Sequence, residues 1–419
     1  MPSTWSLPRR IAFRFAFAYL VLYNIPFPFN VMSWFETASS RYDTLWQRIV
    51  RPVGKAVFGA DTSVLPNGSG DTTFNYVQVF CFAVIALIAT LIWSLLDRKR
   101  ENYARLDAWL RAYIRFSLAA AMLLYGAVKV IPGQFPPPSL GKMIMTFGEQ
   151  SPMGLLWSFM GASTVYTAFT GLAEVTAAIL LTMRRTALLG SLLAAGVMTN
   201  VVMLNFCYDV PVKLYSSHLL LMALFLAAPH AKRLANFFLF NRGTEPAELP
   251  RLFPESWTRV AVPAVRTAAV LWFVTVAINQ AWDNYETRFL YLPKSSFYGL
   301  WDVEEFVIDG QPHPPLVTDA SRWRYVTFDY SSVSVRQMND ARLRFVAKLD
   351  TVKKEMTMTG LVPKSKMVLT YAQPQRSTLV LQGMLDGKPM RATLRRVEKP
   401  KFLLTTRGFH WINEYPLNR

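Results

Sequence analysis

The chain has 419 residues, 52% of them hydrophobic and 17% charged, and Lys and Arg outnumber Asp and Glu 45 to 27, for a net charge of +18. Soluble domains carry roughly 25% charged residues, so this composition excludes both intrinsic disorder and a wholly soluble protein. Two cysteines exclude a disulfide framework and a multi-cysteine zinc site, and no zinc-finger spacing or RNA-binding aromatic signature directs the basic surplus toward nucleic acid.

A bilayer core takes about 20 apolar residues per helix. Runs of that kind occupy residues 11–29, 74–96, 113–131, about 162–183, 186–206, 212–228 and 260–282, with a short interfacial helix over 153–161 ahead of the fourth. The first run resembles a signal peptide, but bulky, Pro-rich residues 25–29 follow it instead of a small-residue cleavage site, so it reads as a retained anchor. Arg9, Arg10 and Arg14 flank it. Arg98, Lys99, Arg100, Arg105 and Arg111 lie between the second and third runs with Arg115 at the start of the third, Arg184 and Arg185 between the fourth and fifth, and Lys232, Arg233 and Arg242 after the sixth. Basic loops face the cytoplasm. The pattern predicts seven spans in a bacterial-type inner membrane, with the N-terminus cytoplasmic and the C-terminal region periplasmic or extracellular. Residues 30–73 fall outside yet hold Arg41, Arg48, Arg51 and Lys55. Trp46, Ile49, Val50, Val53 and Val57 recur there at helical spacing, which fits a basic amphipathic helix kinked at Pro52 or a loop packed on the bundle.

After Trp282 the pattern changes. Residues 297–419 carry 19 Lys and Arg against 12 Asp and Glu and contain no spanning run. Leu343, Phe345, Ala347 and Leu349 alternate with Arg342, Arg344, Lys348 and Asp350, broken only by Val346. Met390, Ala392 and Leu394 alternate with Arg391, Thr393 and Arg395, and Met367, Leu369 and Tyr371 form a third row. Period two predicts antiparallel strands with one wet face. Turn signals at Asp309-Gly310, Asn339-Asp340, Pro374 and Asp386-Gly387 space about eight to ten of them, as in an up-and-down barrel or a sandwich. The fold class expected is therefore a polytopic α-helical membrane protein followed by an all-β domain. Tyr298-Gly299-Leu300-Trp301 resembles the Gly-x-Trp opening strand of lipocalin-like barrels, and that resemblance implies an arginine stacked on Trp301, for which Arg407 is suitably placed.

Ionisable groups inside spans cost roughly 2.5–3.5 kcal/mol at mid-helix, so each needs a partner or a task. Glu174 lies near the middle of the fourth span, Lys129 at the outer end of the third, and Asn200 and Asn205 in the outer part of the fifth. Asp209 and Lys213 bracket the next turn, and His218 lies about two turns into the sixth span. The asparagines can also act as interhelical glue beside Gly190, Ala194, Ala195 and Gly196, and Lys129 can snorkel to the headgroups. Cys81 and Cys207 read as free buried thiols, with a disulfide between them as the alternative.

Tyr125-Gly126-Ala127-Val128-Lys129, Gly171-Leu172-Ala173-Glu174 and Arg184-Arg185-Thr186-Ala187-Leu188 resemble the DoxX/DoxD-like four-helix membrane unit, over about residues 113–230. Some members of that family are linked to a thiosulfate:quinone oxidoreductase, and the wider group resembles the membrane part of vitamin K-dependent carboxylases. The resemblance implies Lys129 and Glu174 as site residues and a quinone as ligand. His218, Asn200 and Asn205 join them on the reading of the residues alone.

Four regions follow: 1–112 with two spans and the amphipathic segment, 113–230 as the four-helix unit, 231–296 with the seventh span, and 297–419 as the extracytoplasmic β domain. The leading functional expectation is a redox-linked, quinone-interacting membrane protein. Lys129, His218 or an asparagine would donate to quinone carbonyls, Glu174 or His218 would relay protons, and a partner subunit would supply electrons. The alternatives are a non-enzymatic handler of lipid or another hydrophobic ligand, or an assembly module. Whether the protein is an enzyme stays open at this stage.

Overall fold

The computed structural model of the chain describes residues 4–32, 35–64, 67, 69–246, 253, 260–287, 294–330, 332–360, 365–398 and 402–418. Two compact units divide it. The first comprises Met1–Gln134 and Val165–Asp283, the second Phe135–Thr164 and Asn284–Arg419.

The first unit is helical: α1 (Leu7–Asn24), α2 (Glu36–Phe58), α3 (Thr73–Leu96), α4 (Ala104–Val130), then α7 (Thr164–Thr182), α8 (Ala187–Cys207), α9 (Lys213–Ala227), α10 (Ala231–Phe238) and α11 (Ala261–Tyr285). Among the described residues seven helical segments are long and apolar enough to cross a membrane: α1 with the turn after it, α3, α4, α7, α8, α9 with α10, and α11. These coincide with the seven apolar runs. α4 begins at Ala104 rather than at residue 113, because the polar extension is held by an i,i+4 pair, Asp107–Arg111 at 2.8 Å, and by Arg111 donating to the Phe225 carbonyl at 2.9 Å. Arg14 is more than a flanking charge. It is buried and donates to the Tyr103 hydroxyl at 2.7 and 3.0 Å, to Ser94 Oγ at 2.8 Å and to the Asp97 carbonyl at 2.8 Å. The amphipathic segment is the helix α2, with Pro52 inside it. Trp46 and Val50 on its apolar face pack against Phe74, Val77, Cys81 and Phe82 of α3. Cys81 and Cys207 are free thiols, the first buried and the second exposed.

The second unit is a closed barrel. Its strands are β1 (Gly299–Ile308), β2 (Gln311–Pro312), β3 (Trp323–Phe328), β4 (Ser332–Gln337), β5 (Arg342–Asp350), β6 (Glu355–Gly360), β7 (Lys366–Gln375), β8 (Thr378–Leu385) and β9 (Lys388–Arg396). From β3 each strand pairs antiparallel with the next, β1 pairs with both β3 and β9, and the two-residue β2 hairpins back onto β1. Eight strands therefore close without a free edge. Alternation along β5 and β9 holds as expected, and Val346 points outward where it breaks the pattern. The inward faces fill the barrel with Trp301, Phe306, Trp323, Phe328, Met356 and Leu369.

Asp309-Gly310 and Asp386-Gly387 have positive φ at both residues, which suits two-residue hairpins whose twist matches the strands. Pro374 does not form a turn. It lies within β7 at a register shift between Ala372 and Gln375, a place that tolerates a residue without an N–H, and the chain reverses at Arg376-Ser377. The cation over Trp301 is Arg396 of β9 rather than Arg407. Its Cζ stands 6.0 Å from the ring centroid and its Nη2 donates to the Tyr298 carbonyl at 2.8 Å, while Arg407 donates to Asn413.

Residues 135–164 carry the short α5 (Leu140–Met143) and α6 (Pro152–Ala162) and belong to the barrel's unit. Arg336 of β4 forks onto Glu149 at 2.9 and 3.3 Å and also meets Asp340 at 3.0 Å. Leu140 N–H donates to Asp329 Oδ1 at 3.4 Å, and Arg342 donates to Ser334 Oγ and reaches Met145. Burial, reinforced by Arg344, lowers the Arg342 guanidinium to about 10. The helix α12 (Leu403–Thr406) follows the last strand.

Candidate functional site

Two glycines build the site. Gly126 on α4 and Gly171 on α7 allow the backbones to approach so closely that a Cβ on either would collide with the other's carbonyl oxygen. Lys129 and Glu174 each lie three residues further along their helix, close to one turn, and so share the glycine's face. Lys129 Nζ donates to Glu174 Oε1, and both side chains are buried, at 9% and 3% exposure.

The pair is only half saturated. Glu174 Oε2 is buried and has no hydrogen-bond partner among the described residues. Among the described residues Glu174 is likewise the one acceptor for Lys129, so two of the three ammonium donors stay uncommitted there. Tyr125, one turn before Lys129, stacks obliquely on Tyr215 of α9 with ring centroids 5.8 Å apart.

His218 belongs to a second polar centre. Its Nδ1 lies 2.7 Å from the Leu214 carbonyl, which can only accept, so Nδ1 carries the proton. In the neutral ring Nε2 is then the acceptor for the Tyr19 hydroxyl at 2.6 Å. Tyr23 lies flat against the imidazole, with centroids 3.8 Å apart and planes 5° from parallel.

Asn205 is held elsewhere, donating through Nδ2 to Ser216 Oγ at 3.0 Å across α8 and α9. Asn200 is exposed on α8 and joins none of these groupings. Asp209 and Lys213 pair at 2.9 Å, and Asp71 accepts from the Lys213 and Leu214 N–H groups at 2.7 and 2.9 Å, capping α9. Of the five site residues expected from the sequence, the structure brings together Lys129 and Glu174 and places His218, Asn205 and Asn200 apart from them. Sequence reasoning missed Tyr19, Tyr23 and Tyr215. Their aromatic character suits any apolar span, and no local pattern marks that Tyr19 bonds His218, that Tyr23 stacks on it or that Tyr215 meets Tyr125. No group of three metal-ligating side chains occurs among the described residues.

Fold and site together define a membrane-embedded helical protein with a buried Lys–Glu pair and a C-terminal eight-stranded barrel. The chain belongs to the family of the uncharacterized protein YwoB of Bacillus subtilis (strain 168). The two are 36% identical over 117 residues, which cover 27% of this chain and 73% of that protein. No protein-family model matches the chain, and no solved structure matches it.

Proposed function

We propose that the helical unit binds a bilayer-soluble quinone at the Lys129–Glu174 pair and exchanges protons with it. The observation that carries this reading is the half-saturated pair: spare Lys129 N–H donors beside an unpartnered Glu174 oxygen, both buried. A quinone supplies a carbonyl that accepts and, once reduced, a hydroxyl that donates. Lys129 would hold the carbonyl, and Glu174 Oε2 would take up or return the hydroxyl proton. Electrons come from a partner subunit. His218 with Tyr19 forms a second hydrogen-bonded couple for moving protons.

The β unit is assigned to the periplasmic or extracellular side by the alternation of basic loops. The packing of residues 135–164 with the barrel fits seven crossings, which put that loop and the C-terminal unit on one side, and the basic loops alone supply the direction.

The test compares Lys129→Met, Glu174→Gln and the double variant. Each single change leaves a buried group without its partner, at a cost of roughly 3–5 kcal/mol, and the double change removes both charges and recovers much of that stability. Purified in mild detergent, the wild type should carry extractable quinone and the stable double variant should not. Equal quinone in both would end the quinone reading.

A second reading rests on the glycine contact. The pair sits where an ion pair would lock α4 to α7, as an assembly module or lipid handler needs. Under that reading the double variant is stable and complements a deletion strain in full.

A further inference from the structure

The β unit has an open cleft of about 580 Å³, within the range of small-molecule sites, whose groups the quinone reading does not use. Two guanidinium groups line it: Arg396 at the end of β9 and Arg376 in the turn between β7 and β8. Arg396 is half-buried and fixed by its bond to the Tyr298 carbonyl and by the Trp301 ring, which leaves most of its five N–H donors uncommitted. Gly299, at φ +149°, lets that group lie against the backbone, where a Cβ would stand 3.3 Å from Arg396 Nε. Among the described residues neither arginine is paired with a carboxylate, in contrast to Arg336 and Arg395 on the same barrel. Glu398 shares the lining without joining either in an ion pair. Ser377 adds a hydroxyl, and Leu300 and Val397 add an apolar wall.

A rigidly held cation, a second one on a turn and an apolar wall suit a ligand with a charged end and a greasy end. The barrel lumen offers no alternative place for it, because side chains fill it. We propose that this outer cleft binds an amphipathic anion, a carboxylate or phosphate head on an alkyl chain. Arg396 and Arg376 hold the head while Leu300 and Val397 cover the chain. The proposal is independent of the quinone reading.

The full chain in a neutral maltoside detergent is titrated with oleate, dodecyl phosphate, inorganic phosphate and dodecanol. Oleate and dodecyl phosphate should bind at least tenfold more tightly than the other two. Arg376→Gln, on an exposed turn, should weaken oleate at least fivefold with an unchanged melting temperature, and Glu398→Gln should strengthen it. Competition by phosphatidylglycerol in mixed micelles marks a bilayer lipid as the natural source. Competition by free fatty acids alone marks a soluble acid, and either result supports the site. Dodecanol binding as well as oleate, or Arg376→Gln binding like wild type, overturns the role of charge. Inorganic phosphate matching dodecyl phosphate overturns the role of the apolar wall.

Discussion

A Cβ on Gly171 would stand 2.7 Å from the Gly126 carbonyl oxygen, and one on Gly126 would stand 2.9 Å from the carbonyl oxygen of Gly171. Backbone on both sides gives neither helix room to yield locally. Any side chain larger than hydrogen pushes α4 and α7 apart and stretches the Lys129–Glu174 bond with them.

Gly171→Ala should therefore destabilise the protein by roughly 1–3 kcal/mol, the usual cost of overpacking. Its thermal midpoint in detergent should fall, and any phenotype that depends on the ion pair should weaken. Gly196→Ala is the control, because a Cβ there meets nothing within 4 Å. Equal midpoints for the two variants would mean that the helix contact is not tight.

Residues 135–164 should stabilise the barrel they pack with. Arg336 keeps only 4% of its side chain exposed and depends on Glu149 as well as Asp340. Glu149→Ala should cost roughly 1–3 kcal/mol, less than the full penalty for a broken buried pair because Glu149 is itself 35% exposed. Residues 294–418 produced alone should give a β-rich circular dichroism spectrum but melt below the same fragment tethered to 135–164. Identical melting would show that the segment adds nothing to the barrel.

Acid should loosen the barrel through Asp319. Burial opposes its ionisation. The Ser321 hydroxyl, His313 and the Ser321 and Arg322 N–H groups outweigh that and hold the carboxyl well below the usual range. A carboxyl depressed in the folded state stabilises fully above its unfolded value of about 3.9, and the contribution fades as pH falls toward the folded value. Melting temperature should drop below about pH 4, and Asp319→Asn should be less stable at neutral pH with a flatter acid limb. An unaltered acid limb in that variant would count against the assignment.

Topology is open to a direct measurement. A reporter fused at the C-terminus should be active only outside the cytoplasm, and one inserted after Gly243 only inside it. A cysteine at the exposed Phe147 should react with an impermeant maleimide from the same side as the C-terminus. Labelling from opposite sides would refute the seven-span arrangement.

The spans and strands were legible because each shows a period in the linear sequence. Apolar runs of about 20 residues mark the helices, and alternation such as that from Leu343 to Leu349 marks the barrel. Lys129 and Glu174 were legible because charge is rare at those depths, whereas the close approach of Gly126 and Gly171 was not, since a glycine in a span shows no partner in the linear sequence. Tyr19 and Tyr23 were not, since their partner His218 lies about 200 residues away and nothing local announces the pairing. Nor was the outward placement of Asn200. A span is apolar all round, so its buried face leaves no periodic trace. Arg396 and Arg407 are equally basic and close in sequence, and strand register alone decides which of them reaches Trp301.

The chain contributes to the barrel unit twice, on either side of four membrane crossings. About 130 residues separate Thr164 from Lys294, which takes roughly 7–26 s to synthesise at ~5–20 residues per second. Glu149 and Leu140 thus emerge well before β3 and β4 exist, and wait without Asp329 or Arg336 until α11 is in place. Ribosomal order makes the early loop a docking template for a barrel made later, so a chain stalled after α11 would leave that loop exposed to proteases.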